Sequence, residues 1–175
     1  AETGKLLAKY YPTTTQYMIH NGVNIDYFKP TLATTAEQKK LTHIGIVANL
    51  QERKGHDDFI DMAKDVVATH NSVHFDIIGG DILQAPREAI LKQRIDALGL
   101  TSFFTFHGQL SDVRDAMNSL DIYVCASHQE AFPVSILEAM ACQKTIVSTN
   151  VNGIPEMLRH EDNALLVAPH KPQQI

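Results

Sequence analysis

The chain has 175 residues, 44% hydrophobic and 20% charged, which suits one soluble globular domain with a sizeable core. A net charge of −5, a pI near 6.0 and the lack of any Lys/Arg block give no support to nucleic-acid binding or to a polybasic membrane surface. No apolar run approaches the ~18 residues that span a bilayer, there is no signal-peptide pattern, and Cys125 and Cys142 fall in apolar segments that suit reduced thiols; a cytoplasmic location is expected.

In chain order, Gln16–His20 reads as a strand closed by an Asn21-Gly22 turn, and Thr31–Lys40 as a polar connector. The spacing then predicts strand Thr42–Ala48, helix His56–His70, strand Val73–Ile78, helix Arg87–Leu98, strand Phe103–Phe106, helix Val113–Leu120 and strand Asp121–Cys125. A helix with Pro133 as its first residue follows, then strand Thr145–Ser148, a short helix at Ile154–Leu158 and strand Ala164–Val167. Phe59, Met62, Ala63, Val66 and Val67 repeat at the interval of a helix lying on a sheet, and the strands are continuous apolar runs, as when both faces are covered. The expectation is an α/β fold with a doubly wound, Rossmann-like parallel sheet, whose ligands bind at the carboxyl ends of the strands.

Those ends carry the suspicious residues. Asn49-Leu-Gln-Glu-Arg53-Lys54-Gly55 joins a strand to a helix, so Arg53 and Lys54 stand near free backbone N–H groups where an anion can be held. A second helix start offers the N–H groups of Val134 and Ser135. Two anion-favouring features on one sheet edge suit a diphosphate, and hence a nucleoside diphosphate. Two carboxylates flank the second of these, Glu130 before the helix and Glu138 on its second turn. On a helical wheel Val134, Ile136, Leu137, Met140 and Ala141 read as buried, leaving Ser135, Glu138, Ala139 and Cys142 as a stripe facing a cleft. A carboxylate there needs donors, which sugar hydroxyls provide. Of nine histidines only His70 and His74 stand four apart, and they straddle a predicted helix end and strand start instead of sharing one helix face, so no metal site is expected. Phosphate-loop, Gly-x-Gly-x-x-Gly and nucleophile-elbow signatures are absent.

Glu130-Ala-Phe-Pro-Val-Ser-Ile-Leu-Glu138-Ala-Met-Ala resembles the E-x7-E segment of the family-4 retaining glycosyltransferases of the GT-B fold. His20-Asn21-Gly22-Val23 with Phe28, Lys54-Gly55, Asp121-Ile-Tyr-Val-Cys-Ala-Ser127 and Gly153-Ile-Pro-Glu156 are similar to further segments of that family, in the same order. The resemblance implies one GT-B half-domain, residues 1–175, that binds a nucleoside-diphosphate sugar. Lys54 would neutralise the diphosphate and Glu130 would bind the transferred sugar, these two being the catalytic candidates. Phe132, Val134 and Ser135 would bring their backbone to the phosphate and sugar, Glu138 would hold the ribose, and Gly108 would edge the base. Asn49 stands where the family commonly has arginine, with Arg53 as a substitute cation; Ala131, Gln143 and Thr145 replace usual Gly, Gly and Pro.

By the same resemblance, no cofactor or metal takes part, and leaving-group charge is met by cations and helix dipoles. The chain looks like an excised donor domain. Its acceptor site, and any membrane contact at the inner face, would belong to an N-terminal half, so the fragment alone is expected to be inactive. The alternatives are a GT-B sugar-nucleotide epimerase and a non-catalytic nucleotide-sugar-binding module. As a loop cation, Lys54 is expected to matter for binding and little for stability.

Overall fold

The structure is a computed structural model that describes residues 9–10, 12–13, 15, 17, 19–31, 41–82 and 86–175. Six strands, β1 (Thr42–Val47), β2 (Val73–Ile78), β3 (Phe104–Gly108), β4 (Ile122–Cys125), β5 (Thr145–Thr149) and β6 (Leu165–Val167), form one sheet in the order β3-β2-β1-β4-β5-β6. Every pairing is parallel, in agreement with the doubly wound expectation. Between β1 and β4 the winding reverses, so one half of the sheet is built outward in each direction from that seam.

Helices cover both faces. On one, α1 (His56–Val67) and α2 (Arg87–Ala97) pack Phe59, Ile60, Met62, Ala63, Leu91 and Ile95 against Ile44, Ile46, Phe75, Ile77, Val124 and Val147. On the other, α3 (Arg114–Ser119) and α4 (Val134–Ala141) place Met117, Ile136 and Ala139 against Val47, Ile78, Tyr123, Cys125 and Ile146. Alternate residues of each central strand thus serve opposite cores. Each fully buried side chain such as Phe59 or Ile60 contributes about 1.5–3 kcal/mol. Asp76, buried on β2, is satisfied from both neighbouring strands, by His43 Nδ1 at 2.8 Å and His107 Nε2 at 2.7 Å.

Several expectations need correction. Strand β3 alternates between part-buried and exposed residues instead of being covered on both faces, because it is an edge strand. The short helix at Ile154–Leu158 is a 3₁₀ turn over Ile154–Glu156. Of the Gln16–His20 run, Gln16 and Met18 lie outside the described residues, while Tyr17, Ile19 and His20 are not in a strand. Thr31–Lys40 lies outside them from residue 32 on. The nearby turn sits at Asn24–Tyr27, not at Asn21-Gly22: the Asn24 side-chain oxygen accepts the N–H groups of Asp26 (3.0 Å) and Tyr27 (3.2 Å), a local bond that outcompetes the Asn-Gly signal. No helix among the described residues is long and apolar enough to cross a membrane.

Candidate active site

The two strands that flank the winding reversal each deliver one charged residue. After β1 the chain makes a 3₁₀ turn, Glu52–Lys54, and enters α1 through Gly55 at φ 73°. That glycine is obligatory: a Cβ there would stand 1.9 Å from the Ala126 carbonyl oxygen, at the end of β4. The close approach lets Lys54 reach Glu130, 76 residues away, in an ion pair in which both side chains are largely buried (14% and 9% exposed). Ser127 Oγ donates to the same carboxylate oxygen at 3.0 Å. Buried Thr149 ties β5 to β4 by donating to the Ser127 carbonyl at 2.5 Å. Gly153 approaches the Glu130 loop so closely that a Cβ would lie 1.5 Å from the Ala131 carbonyl oxygen, and its N–H donates to the Glu130 carbonyl at 3.3 Å.

Lys54 and Glu130, with Tyr123, Cys125, Ser127 and Ser135, line a small cavity of about 10 Å³, the size of one water. A larger cavity of about 230 Å³ adjoins it across Val47 and Ala48 and is lined by Asn49, Gly79, Ile82, Gln109, Leu110 and Val113. Asn49 Oδ1 is buried there with no hydrogen-bond partner among the described residues. Gln109 and Leu110, rather than the expected Gly108, face this space; Gly108 takes φ 67° to turn the chain into it.

Helix α4 departs from the wheel reading. Pro133 is its N-cap, with extended ψ of 122°, and Val134 opens the helix. The sheet-facing stripe is Ile136, Ala139 and Cys142, at most 1% exposed, whereas Val134 (41%) and Met140 (37%) are exposed. Small Ala139 and Cys142 allow close packing on the sheet, which the apolar count alone did not weigh. Ser135 accepts a 2.8 Å hydrogen bond from the Tyr123 hydroxyl. Glu138 is part-buried, and it has no hydrogen-bond or ionic partner among the described residues; burial alone pushes its carboxyl pKa up.

The remaining candidates are in supporting positions. Arg53 directs its guanidinium to Gln51 Oε1 (2.9 Å) and the Gln129 carbonyl (3.3 Å), bracing the Glu130 loop. Phe132 stacks under His20 at 4.6 Å and its carbonyl accepts from Asn21 at 3.0 Å, so the segment at residues 20–21 lies on the same loop; His20 also meets Glu156 at 3.0 Å. Ala131 does not need the glycine usual in the resembling family, because its φ is not positive. Gln143 does adopt a left-handed φ of 55°, in a Schellman cap where Lys144 N–H reaches the Ala139 carbonyl and Gln143 N–H the Met140 carbonyl, both at 3.0 Å.

Sequence reasoning missed three features. His56, 1% exposed at the start of α1, has both ring nitrogens without a hydrogen bond among the described residues, and burial, then the Arg87 and Lys54 cations, lower its pKa to about 4. The backbone of Gln51 and Ala48 lies near enough to oppose that shift without closing a bond of good geometry. The Lys54–Glu130 pair was invisible because its members are far apart in sequence. So was a group formed by Asp58, His128 and His170, which spacing along the chain could not show.

The chain resembles several characterised proteins. It is 32% identical over 159 residues to the phosphatidylinositol N-acetylglucosaminyltransferase subunit of Arabidopsis thaliana, covering 87% of this chain and 33% of that protein. It is 26% identical to the lipopolysaccharide core biosynthesis mannosyltransferase LpsB of Rhizobium meliloti, covering 92% and 48%. The chain thus spans a third to a half of the length of these relatives. Among solved structures, the C-terminal domain of the group 1 family protein LpcC from Francisella tularensis superposes with a TM-score of 0.77 at 29% identity, covering 87% of this chain and 83% of that one. Anabaena HepE in complex with UDP and glucose gives 0.80 at 26% identity, covering 89% and 44%. A family model described as glycosyl transferases group 1 matches residues 31–175, and the chain belongs to that family.

Proposed function

We propose that this chain is the donor-binding half of a retaining glycosyltransferase, which holds a nucleoside-diphosphate sugar while a hexosyl group passes to an acceptor bound by another domain. The observation that carries the reading is the meeting of Lys54 and Glu130 at the seam between β1 and β4, the place where open parallel sheets bind ligands. Lys54 is the diphosphate cation, and it exchanges Glu130 for phosphate when the donor enters. Glu130, released, turns to the sugar. The reaction uses no metal: Lys54 and the free N–H groups at the start of α4 meet the leaving diphosphate.

Next to it, the Asn49 cavity suits the nucleoside. An amide oxygen buried without a partner gives a base or ribose donor something to meet, so Asn49 serves recognition where an arginine would serve charge. Glu138, unpaired and part-buried, takes the ribose hydroxyls. HepE was solved with UDP, and the relatives bear the names of an N-acetylglucosaminyltransferase subunit and a mannosyltransferase, which supports a nucleotide-sugar donor and a role in glycan or glycolipid synthesis.

Calorimetric titration with UDP, GDP, ADP and their sugar conjugates, in EDTA, tests the reading. At least one nucleotide should bind, and Lys54→Ala should weaken it by about 1.5–3 kcal/mol, the range for a hydrogen bond to a charged partner. Absence of binding across the panel, or a strict Mg²⁺ requirement, would overturn it. Sugar transfer by these 175 residues alone would overturn the assignment of the acceptor to another domain, since both substrates must be held in near-attack geometry.

A further inference from the structure

Outside the cavity lined by Lys54 and Glu130, three elements converge on one point. Asp58 projects from the first turn of α1. His128 lies in the loop after β4. His170 comes from the segment after β6, where a left-handed φ of 57° turns the backbone. His128 Nε2 lies 2.9 Å from Asp58 Oδ2, and the His128 and His170 rings stand 3.8 Å apart at 39°. One ligand atom from each of the three residues falls within 4.8 Å of the other two. Asp58 and His128 are part-buried and His170 is exposed, so the group is braced from inside and open from outside.

We propose that Asp58, His128 and His170 form a divalent transition-metal site of the zinc type. Two imidazoles and a carboxylate are the donor set that Zn²⁺ takes, whereas Mg²⁺ and Ca²⁺ require oxygen. Bonds of 2.0–2.2 Å in tetrahedral geometry place ligand atoms about 3.3 Å apart, so side-chain torsions alone bring the three into register, with solvent in the fourth position. The positive charge of Arg53 does not intrude: its backbone carbonyl accepts the His128 N–H at 2.7 Å, while its guanidinium is held by Gln51 and Gln129.

The ion would join three parts of the chain that otherwise meet through side-chain contacts. The segment carrying His170 continues into a 3₁₀ turn, Pro172–Gln174, that packs on α1, and Ile175 reaches the core beneath. A metal at this point fastens that segment to the loop holding Glu130 and to the helix that follows Lys54. The site's task is attachment, not chemistry on the donor, and the inference does not depend on the donor reading.

Titration of metal-free protein with Co²⁺, followed by displacement with Zn²⁺, tests this directly. One Co²⁺ per chain with the visible absorption of tetrahedral cobalt is expected, and Zn²⁺ should raise Tm. His170→Ala should weaken uptake by at least ~100-fold and abolish the Tm rise, since even a residue supporting a ligand is worth 10–100-fold. Exposed His170 bears no core packing, so the metal-free Tm of this variant should match the parent's. His70→Ala, away from the group, should bind as the parent does. Lack of stoichiometric uptake, parent-like uptake by His170→Ala, or equal loss in His70→Ala would overturn the site.

Discussion

The two glutamates of the E-x7-E segment occupy opposite electrostatic situations eight residues apart. Glu130 is saturated: Lys54 and Ser127 hold its carboxylate, and Gly153 and Asn152 hold its backbone. Glu138 is half-sunk in the protein with no partner among the described residues, and burial raises its pKa. Under the proposed function, the first belongs to a self-satisfied junction that a ligand would have to break into, and the second to a surface that a ligand would complete. Affinity at the first would then be a difference between two ion pairs, while at the second it would be a direct gain.

The largest test of the contrast removes Lys54. Because Glu130 is buried, Lys54→Ala should cost about 3 kcal/mol of stability as well as nucleotide affinity, contrary to the loop-cation expectation. Adding Glu130→Gln should restore much of the stability but not the binding, as denaturant melts and calorimetry on the double-mutant cycle would show. Stability independent of Lys54 would leave no junction to compare.

Next in size is the acid response of the same region. His56 has a folded pKa of about 4 against 6.5 unfolded, so its neutral form fully suits the fold above pH 6.5. As pH falls from 6.5 toward 4 the unfolded chain takes up a proton that the folded one refuses. Stability should drop by up to about 3 kcal/mol over that window. His56→Leu should remove this component, seen as a flatter acid limb in urea midpoints against pH. Identical limbs in parent and variant would assign the acid loss to carboxylates alone.

Ligand selectivity separates the glutamates themselves. Glu138→Gln should weaken free nucleotide and sugar nucleotide alike by about 1.5–3 kcal/mol without loss of fold stability. Glu130→Gln should weaken only the sugar-bearing donor, and by freeing Lys54 it should tighten the free nucleotide. Equal behaviour of the two variants across the panel would dissolve the distinction.

The smallest effect lies at the far end of the Glu138 helix. Gln143 holds a left-handed φ that glycine adopts freely, so Gln143→Gly should stabilise by about 0.5–1 kcal/mol, offset in part by a looser unfolded chain. A Tm unchanged or lowered would show that its side chain compensates.

What the sequence disclosed follows from the range of the physics involved. Strands β1 and β2 are near-continuous apolar runs and helix α1 is strongly amphipathic, so local pattern located them to within a few residues. Asn49, Lys54 and Glu130 were singled out by their place near strand ends, by the spacing of the two glutamates and by the family resemblance, and the structure brings Lys54 and Glu130 together. Missed were events that depend on distant partners: the exposure of Val134 and Met140, the burial of His56, and the meeting of Asp58 with His128 and His170. The turn at Asn24 was missed for a different reason, a side-chain bond winning over a dipeptide propensity.

The reversal of winding between β1 and β4 also sets when the site comes into being during folding. Strands β1, β2 and β3 can assemble through successive crossovers, and β4, β5 and β6 likewise, but pairing Ile44 with Ile122 must close a long stretch of chain. Lys54 rides on the first half and Glu130 on the second. The site is thus absent from either half alone and needs the seam between them to be closed, so under the proposed function a bound nucleotide would act as a staple across that seam and slow its reopening.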